Sequence, residues 1–116
     1  MTVAHADQPI PPIFVDDHGD VSAFRSVSYA ESWMEPIDIQ NCEYTAYDAS
    51  GRILALSADR RRVHISLAQK EPTHSEPLAK ALRHFLRRVK DPVGDDPSCD
   101  LARLVAHFDR YADPRS

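Results

Sequence analysis

The sequence WMEPIDIQNCEYTAYDASGRILAL at residues 33–56 decides the predicted fold of this chain. Pro36 disfavours a helical conformation at the residue before it, so a helix that precedes it must end there. The residues DASG at 48–51 form a turn signal, because Gly51 accepts the positive φ that closes a short hairpin loop. The segment therefore predicts a helix end followed by a hairpin, with strands at residues 43–47 and 52–56.

The sequence before this segment predicts a second hairpin and a helix. Residues 13–15 and 21–24 are short apolar runs on either side of a glycine-containing loop, which favours a hairpin. Residues 26–35 place apolar side chains at helical spacing after serines that suit a helix N-terminus. Residues 1–11 are polar and contain prolines, so we expect a mobile lead-in. Residues 12–116 are expected to form a single domain.

The sequence after this segment predicts one more strand and two helices. Residues 63–67 alternate between apolar and polar side chains, as a strand with one buried face does. A helical stripe then predicts a core-facing helix, formed by Leu78, Leu82, Phe85, Leu86 and Val89. A last helix starts near Ser98, with its apolar face formed by Leu101, Leu104, Val105, Phe108 and Tyr111. The order ββ-α-βββ-αα predicts an α+β domain in which helices, two of them C-terminal, pack against an antiparallel sheet.

Charge is distributed unevenly along the chain, although the total is only −4. Residues 1–58 contain nine acidic and two basic residues, residues 59–90 three acidic and nine basic, and residues 91–116 six acidic and three basic. Surfaces of opposite sign produce a directional field that affects partner choice and association rate. The alternative is that these charges are only the solvated faces of separate elements.

The composition excludes several classes of protein. No apolar run approaches the ~20 residues that a membrane-spanning helix needs, and residues 1–7 lack the features of a secretory signal. We therefore expect a cytoplasmic protein. Cys42 and Cys99 do not form a Cys-x-x-Cys pair, which argues against a zinc finger. Two separate thiols are expected in the cytoplasm, with a single disulfide as the alternative.

The candidate catalytic and metal-binding residues form no recognisable arrangement. The six histidines do not occur at metal-ligand spacing, and the glycines at 19, 51 and 94 are too scattered to form a phosphate-binding loop. The carboxylates of Glu35, Asp38 and Glu43 lie near a short polar turn and are expected to face solvent rather than converge in a cleft. The sequence thus predicts a protein that is not an enzyme and uses neither a cofactor nor a metal.

The basic segment at residues 60–90 suggests nucleic-acid binding as an alternative function. Arg60, Arg61 and Arg62 form a basic turn. Further bases at helical spacing form a basic helix face, made up of Lys80, Arg83, Arg87 and Lys90. Such a cluster suits phosphate contacts. The chain is acidic overall, however, with a pI near 5.8, and its tyrosines and tryptophan lie mainly in the acidic half. A solvated amphipathic helix explains the same pattern.

The acidic segment that contains aromatic residues is the strongest sign of a binding surface. Tyrosine and tryptophan combine apolar area with a polar tip and are favoured at the centres of protein interfaces, while neighbouring acids attract a basic partner. The predicted partner-binding residues are Trp33, Glu35, Asp38, Glu43, Tyr44, Tyr47 and Asp48. The alternative places Trp33 and Tyr44 in the core and leaves the acids as surface charges. Tyr47 is expected to be exposed.

Part of this region resembles a known family. The likeness is carried by four short motifs, EPID at 35–38, EY at 43–44, YD at 47–48 and GR at 51–52. They resemble a pattern in small actinobacterial proteins that look like immunity proteins of polymorphic toxin systems, over about residues 13–57. Asn41-Cys42 stands where such sequences carry a glycine. The resemblance implies a cytoplasmic protein that neutralises a toxin domain with a basic surface by binding and occluding it.

Overall fold

The computed structural model describes residues 7–116 and has an α+β architecture. The strands in these residues are β1 (Ile13–Asp17), β2 (Asp20–Phe24), β3 (Thr45–Tyr47), β4 (Leu54–Ala58) and β5 (Val63–Leu67). The α-helices are α1 (Val27–Trp33), α2 (Pro36–Gln40), α3 (Ser75–Arg88) and α4 (Leu101–His107). Short 3₁₀ turns cover Pro92–Asp95 and Phe108–Tyr111. The predicted fold class is confirmed, and α2 is the α-helix of the described chain that was not predicted.

The strands of residues 7–116 form two antiparallel sheets, ordered β2-β1-β3 and β4-β5. The β1–β2 hairpin turns at His18 and Gly19, whose φ angles are 53° and 97°. Two successive positive φ angles match the turn type that suits the right-handed twist of two-residue hairpins. The turn pairs Asp17 with Asp20 and brings their carboxylates to one end of the sheet.

The predicted second hairpin is wrong, although its turn forms. Gly51 has the positive φ of 90° that the turn requires, but β3 and β4 meet only at a bridge between Tyr47 and Ile53 and then separate. β3 pairs instead with β1, where Tyr47 lies opposite Phe14. The alternation in residues 43–47 suits either pairing, and β1 is the apolar strand that needs a neighbour on this edge.

The strand β1 is buried on both faces. Ile13, Phe14 and Val15 are each at most 1% exposed. Phe14 contributes to a core formed with α3, α4 and the C-terminal 3₁₀ turn, and its ring meets that of Phe108 edge to face at 5.5 Å. Ile13 and Val15 face a second core formed with α1 and the β4–β5 sheet. The three-stranded sheet is therefore the middle layer of the molecule.

The helices α1 and α2 are separated by the predicted stop. Ser26 caps α1, because its hydroxyl oxygen accepts a hydrogen bond from the Tyr29 amide at 3.2 Å. Pro36 follows the end of α1 and is the first residue of α2. Proline suits this position because an amide hydrogen in the first turn of a helix has no partner within the helix. The Glu31 carboxylate accepts a hydrogen bond from the Ile65 amide at 2.8 Å, and so ties α1 to the outer edge of β5.

The helix α3 confirms most of the predicted apolar stripe. Leu78, Leu82 and Leu86 are fully buried, and Phe85 packs against the same core while remaining partly exposed. Val89 is 44% exposed, so its predicted burial is wrong. The reason is that α3 ends at Arg88, and Val89 lies at the cap where the chain turns away from the core. Within residues 7–116, no helix combines the length and apolar character needed to cross a membrane.

A cluster of polar side chains joins the end of α3 to the C-terminal elements. The Asp91 carboxylate accepts a 2.6 Å hydrogen bond from the Tyr111 hydroxyl, and its Oδ2 lies 2.7 Å from His107 Nε2. It also accepts a hydrogen bond from the Val93 amide at the start of the first 3₁₀ turn. The bonds from Tyr111 and then His107 lower the pKa of Asp91 to about 2. The ionised carboxylate therefore stabilises this junction.

We expect Leu82→Ala to lower the unfolding free energy far more than Val89→Ala, although both residues belong to the predicted stripe. Removing the buried Leu82 side chain leaves a cavity, which costs about 2–5 kcal/mol of unfolding free energy. Removing the exposed Val89 side chain should change it by less than about 0.5 kcal/mol. Chemical denaturation of both variants measures the two effects. Equal losses would contradict the position of α3 against the core.

We expect the stability contribution of Tyr111 to depend on pH. Tyr111→Phe removes a hydrogen bond to a charged group, so unfolding free energy at neutral pH should fall by about 1–3 kcal/mol. The pKa of Asp91 is depressed from 3.8 to about 2 in the folded protein, so the stability linked to its charge is present above pH 4. That stability is lost as pH falls through about 2. Denaturation at a series of pH values should show the two proteins converging, and a constant difference would contradict this account.

Candidate functional site

Five of the seven predicted partner-binding residues gather around α2. The rings of Trp33 and Tyr44 lie 6.1 Å apart between centroids, at 45° to each other. The Tyr44 hydroxyl donates a hydrogen bond to Asp38 Oδ2 at 3.0 Å. Glu35 immediately precedes α2, and the Glu43 amide donates to the Asp38 carbonyl oxygen at 3.0 Å. The turn from α1 through α2 into β3 thus joins exposed aromatic and acidic side chains.

Tyr44 reports the electrostatics of this region. Partial burial is the main cause of the rise of its pKa to about 12, followed by the hydrogen bond to Asp38. The negative charges of Asp38, Asp17 and Glu35 add to the effect. The phenol therefore stays protonated at physiological pH and keeps donating to the Asp38 carboxylate.

The β1–β2 turn adds two residues that were not predicted. Asp17, His18 and Glu43 place one potential ligand atom each within 4.8 Å of one another. His18 Nδ1 lies 2.8 Å from Asp17 Oδ1, and this hydrogen bond is the main cause of the raised pKa of His18, before the charges of Asp17, Glu43 and Asp16. Such exposed groups are common on protein surfaces, and the absence of a metal site stays a prediction. The β1–β3 pairing brings these residues together, and no short sequence motif signals it.

Among the described residues, the only base paired with a carboxylate around α2 is His18, which pairs with Asp17. We call the group of exposed and partly exposed side chains around α2 the acidic–aromatic surface, which comprises Asp17, Trp33, Glu35, Ile37, Asp38, Glu43 and Tyr44. Among residues 7–116, no lysine or arginine forms an ion pair with any of its four acids, and only His18 contacts one of them as a titratable base. Elsewhere aspartates pair with bases, as Asp95 does with Arg87 and Asp109 with Arg25. Four acids that have no lysine or arginine partner among residues 7–116 therefore lie together here.

Tyr47 and Asp48 do not belong to this surface, and their expected exposure is wrong. Tyr47 is 7% exposed and lies in the core beneath α3, because β3 presents it on the face that α3 and α4 cover. Burial is the main cause of the raised pKa of Tyr47, and the negative charge of Asp16 adds to it. Asp48 is fully buried. Both faces of β3 are covered, so strand alternation alone did not predict which ring is accessible.

Asp48 organises the loop that follows β3. Its Oδ2 lies 2.8 Å from a terminal guanidinium nitrogen of Arg52, whose side chain is also buried. Burial opposes ionisation of Asp48, but hydrogen bonds from Ser50, the Ile10 amide and Arg52 outweigh it and lower the pKa of this carboxyl. Arg52 also donates to the Gln8 carbonyl oxygen at 2.8 Å. Asp48 and Arg52 therefore stabilise the turn rather than present charge to a partner.

The same contacts bear on the predicted lead-in at residues 1–11. The Ile10 amide donates a hydrogen bond to the Asp48 carboxylate, and the Ile10 carbonyl oxygen accepts one from the Ala49 amide at 2.8 Å. The Gln8 carbonyl oxygen accepts a hydrogen bond from Arg52. Asp7 pairs with Lys70 at 3.0 Å. The described part of the lead-in thus contacts the domain, while residues 1–6 lie outside the described residues. Its mobility stays a prediction.

The basic segment at residues 60–90 divides into two parts with different roles. On α3, Arg83 donates to the carbonyl oxygens of Asp96 and Cys99, Arg87 pairs with Asp95, and Arg88 donates to the Gly19 carbonyl oxygen. These arginines hold neighbouring segments together. Three further exposed bases lie together in the β4–β5 turn, which we call the basic tip: Arg60, Arg61 and Arg62.

The two cysteines lie in different environments. Cys42 is exposed at the end of the α2–β3 turn, where its φ is 54°, and Cys99 is buried in the core that contains Phe14. Both are free thiols. Cys42 occupies the position where the resemblance expects a glycine, and the positive φ is the physical reason that glycine suits it.

Comparison of the chain with protein-family models, curated proteins and solved structures gives no match. The resemblance of residues 13–57 to immunity proteins therefore stays a prediction, as do the partner and the cellular location that it implies.

We expect Asp48→Asn and Asp38→Asn to differ sharply in stability, although both were predicted to bind a partner. Asp48→Asn removes the carboxylate charge that pairs with the buried Arg52 guanidinium, which costs about 3–5 kcal/mol. Asp38 is only partly buried, and an asparagine oxygen can still accept from Tyr44, so its loss should be within about 0.5 kcal/mol. Thermal and chemical denaturation measure both. Similar losses in the two variants would contradict the separation of structural from surface acids.

Proposed function

We propose that this protein is a non-enzymatic binding module that holds a basic protein partner on the acidic–aromatic surface. One observation carries the proposal: Asp17, Glu35, Asp38 and Glu43 surround exposed aromatic area without a lysine or arginine counter-charge among the described residues. Asp48, by contrast, serves the fold and pairs with the buried Arg52.

Apolar area accompanies the charge. Trp33 is 40% exposed and Ile37, on α2, is 55% exposed. Large exposed apolar side chains ringed by polar groups are typical of protein interfaces, where tryptophan and tyrosine contribute most of the binding energy. The surrounding carboxylates would accelerate encounter with a positively charged partner and orient it. Both features lie on one surface, and together they suit a protein partner.

The kind of partner is proposed from the resemblance of residues 13–57 to immunity proteins. It implies a toxin domain whose basic groups bind its own substrate. An acidic surface placed over those groups would block them by charge and by steric exclusion. In this proposal the complex forms in the cytoplasm and needs no cofactor.

Nucleic-acid binding is the competing function, and the basic tip is the observation that favours it. Three exposed arginines on one hairpin turn can contact phosphates. The larger basic face that was predicted is weaker support, because two of its four bases, Arg83 and Arg87, bind groups of this chain. The acidic–aromatic surface therefore carries the better supported proposal.

The partner to be tested is the product of the adjacent gene, as the cognate toxin that the immunity resemblance implies. We expect the double substitution Asp38→Lys and Glu43→Lys to slow association with this protein by at least about tenfold, because it reverses the charge that attracts a basic partner. Trp33→Ala should mainly speed dissociation, since packed aromatic side chains act on residence time. Surface plasmon resonance of the folded variants measures both rates.

Two controls make the binding test specific. Reversing Arg61 and Arg62 to Glu changes charge on the basic tip and should leave both rates within about threefold of the wild type. A short DNA or RNA duplex should not bind at physiological salt. Wild-type rates for the Asp38/Glu43 variant, or duplex binding that the tip substitutions abolish, would overturn the proposal.

A further inference from the structure

Four aromatic rings form a continuous row that leads to the acidic–aromatic surface. Tyr29 and Phe24 lie 5.8 Å apart between ring centroids, Phe24 and Trp33 5.1 Å, and Trp33 and Tyr44 6.1 Å. Phe24 is buried in the second core, and the other three rings are at least partly exposed. The row therefore has a buried middle and two ends that reach the surface.

The Tyr29 end of the row already holds a cation. The guanidinium carbon of Arg115 lies 6.0 Å from the centroid of the Tyr29 ring. The same guanidinium pairs with Asp113, with Nε 3.2 Å from Oδ1 and a terminal nitrogen 3.3 Å from Oδ2. An aromatic ring and a carboxylate of this chain thus bind an arginine between them, which is a favourable arrangement for a planar, weakly hydrated cation.

The Tyr44 end has the same acceptors without the cation. Asp38 stands beside Tyr44 as Asp113 stands beside Tyr29, and the Tyr44 hydroxyl fixes it through Oδ2. The other Asp38 oxygen accepts no hydrogen bond from residues 7–116, and no arginine or lysine of that part of the chain pairs with it. The rings of Trp33 and Tyr44 provide two aromatic faces nearby, and Glu35 adds negative charge.

We propose that the Tyr44 end binds an arginine side chain of the protein partner, with the guanidinium against the Trp33 and Tyr44 rings and paired with Asp38. This inference rests on the proposed function, because it names the group by which the partner would be recognised. Arginine is favoured over lysine since its flat guanidinium can stack on a ring and bond a carboxylate at the same time.

A tripeptide titration tests the inference without the partner. Trp33 is the single tryptophan of the chain, so its fluorescence reports this site alone. The probe is acetyl-Gly-Arg-Gly-amide, and its controls replace arginine with lysine or with uncharged citrulline, which has nearly the same shape. We expect a saturable change with arginine, at least about threefold weaker binding with lysine, and no binding with citrulline over the same concentrations.

Two variants that each remove one negative charge test whether peptide binding depends on Asp38 itself or only on net charge. Asp38→Asn should weaken arginine-peptide binding at least about fivefold, because it removes the paired carboxylate. Glu71→Gln, an exposed site on the segment that leads into α3, should leave it unchanged. The indole N–H resonance of Trp33 in ¹H–¹⁵N spectra gives a second readout, which should shift with the arginine peptide and not with citrulline.

Three results would overturn this inference: no response to the arginine peptide, an equal response to citrulline, or equal weakening by both variants. Its failure is distinguishable from failure of the proposed function. If the peptide does not bind but association with the adjacent gene product still depends on Asp38 and Glu43, the surface binds its partner without an arginine anchor. If neither measurement responds, both proposals fall.

Discussion

Burial of β1 on both of its faces is the constraint on which the rest of the structure depends. Side chains alternate along a strand, so Phe14 points to one side while Ile13 and Val15 point to the other, and all three are enclosed. One side is covered by α3 and α4, and the other by α1 and the β4–β5 sheet. The chain must therefore place a layer on each side, and β2 and β3 complete the sheet as edges.

This arrangement also builds the acidic–aromatic surface. Pairing of β3 with β1 brings Asp17, at the end of β1, and His18, in the turn that follows, next to Glu43, which lies just before β3. The helix α2 then places Asp38 against Tyr44, and the end of α1 places Trp33 beside the same ring. Residues between 17 and 44 thus supply one negative surface, while arginines elsewhere, such as Arg25 and Arg87, pair with aspartates.

The sequence predicted the elements better than their partners. Apolar periodicity located α3 and five strands because each carries its own local pattern, and Pro36 marked the end of α1. The pairing of β3 was missed since alternation is compatible with either neighbour, and Tyr47 and Asp48 were misplaced for the same reason. Asp48 and Arg52 lie on either side of the turn glycine, Gly51, and this spacing could have indicated the buried ion pair that they form. Trp33, Glu35, Asp38, Glu43 and Tyr44 lie together in the structure because they are close in sequence, and their role in binding stays a prediction.

The central claim is that a partner contacts the acidic–aromatic surface, and a footprint in solution tests it most directly. ¹H–¹⁵N spectra of the free protein and of its complex with the adjacent gene product would locate the contact residue by residue. We expect large changes in the resonances of the Trp33 indole and of residues 35–44, and small ones at Arg60, Arg61 and Arg62. Changes confined to the basic tip, with Trp33 unaffected, would contradict the central claim.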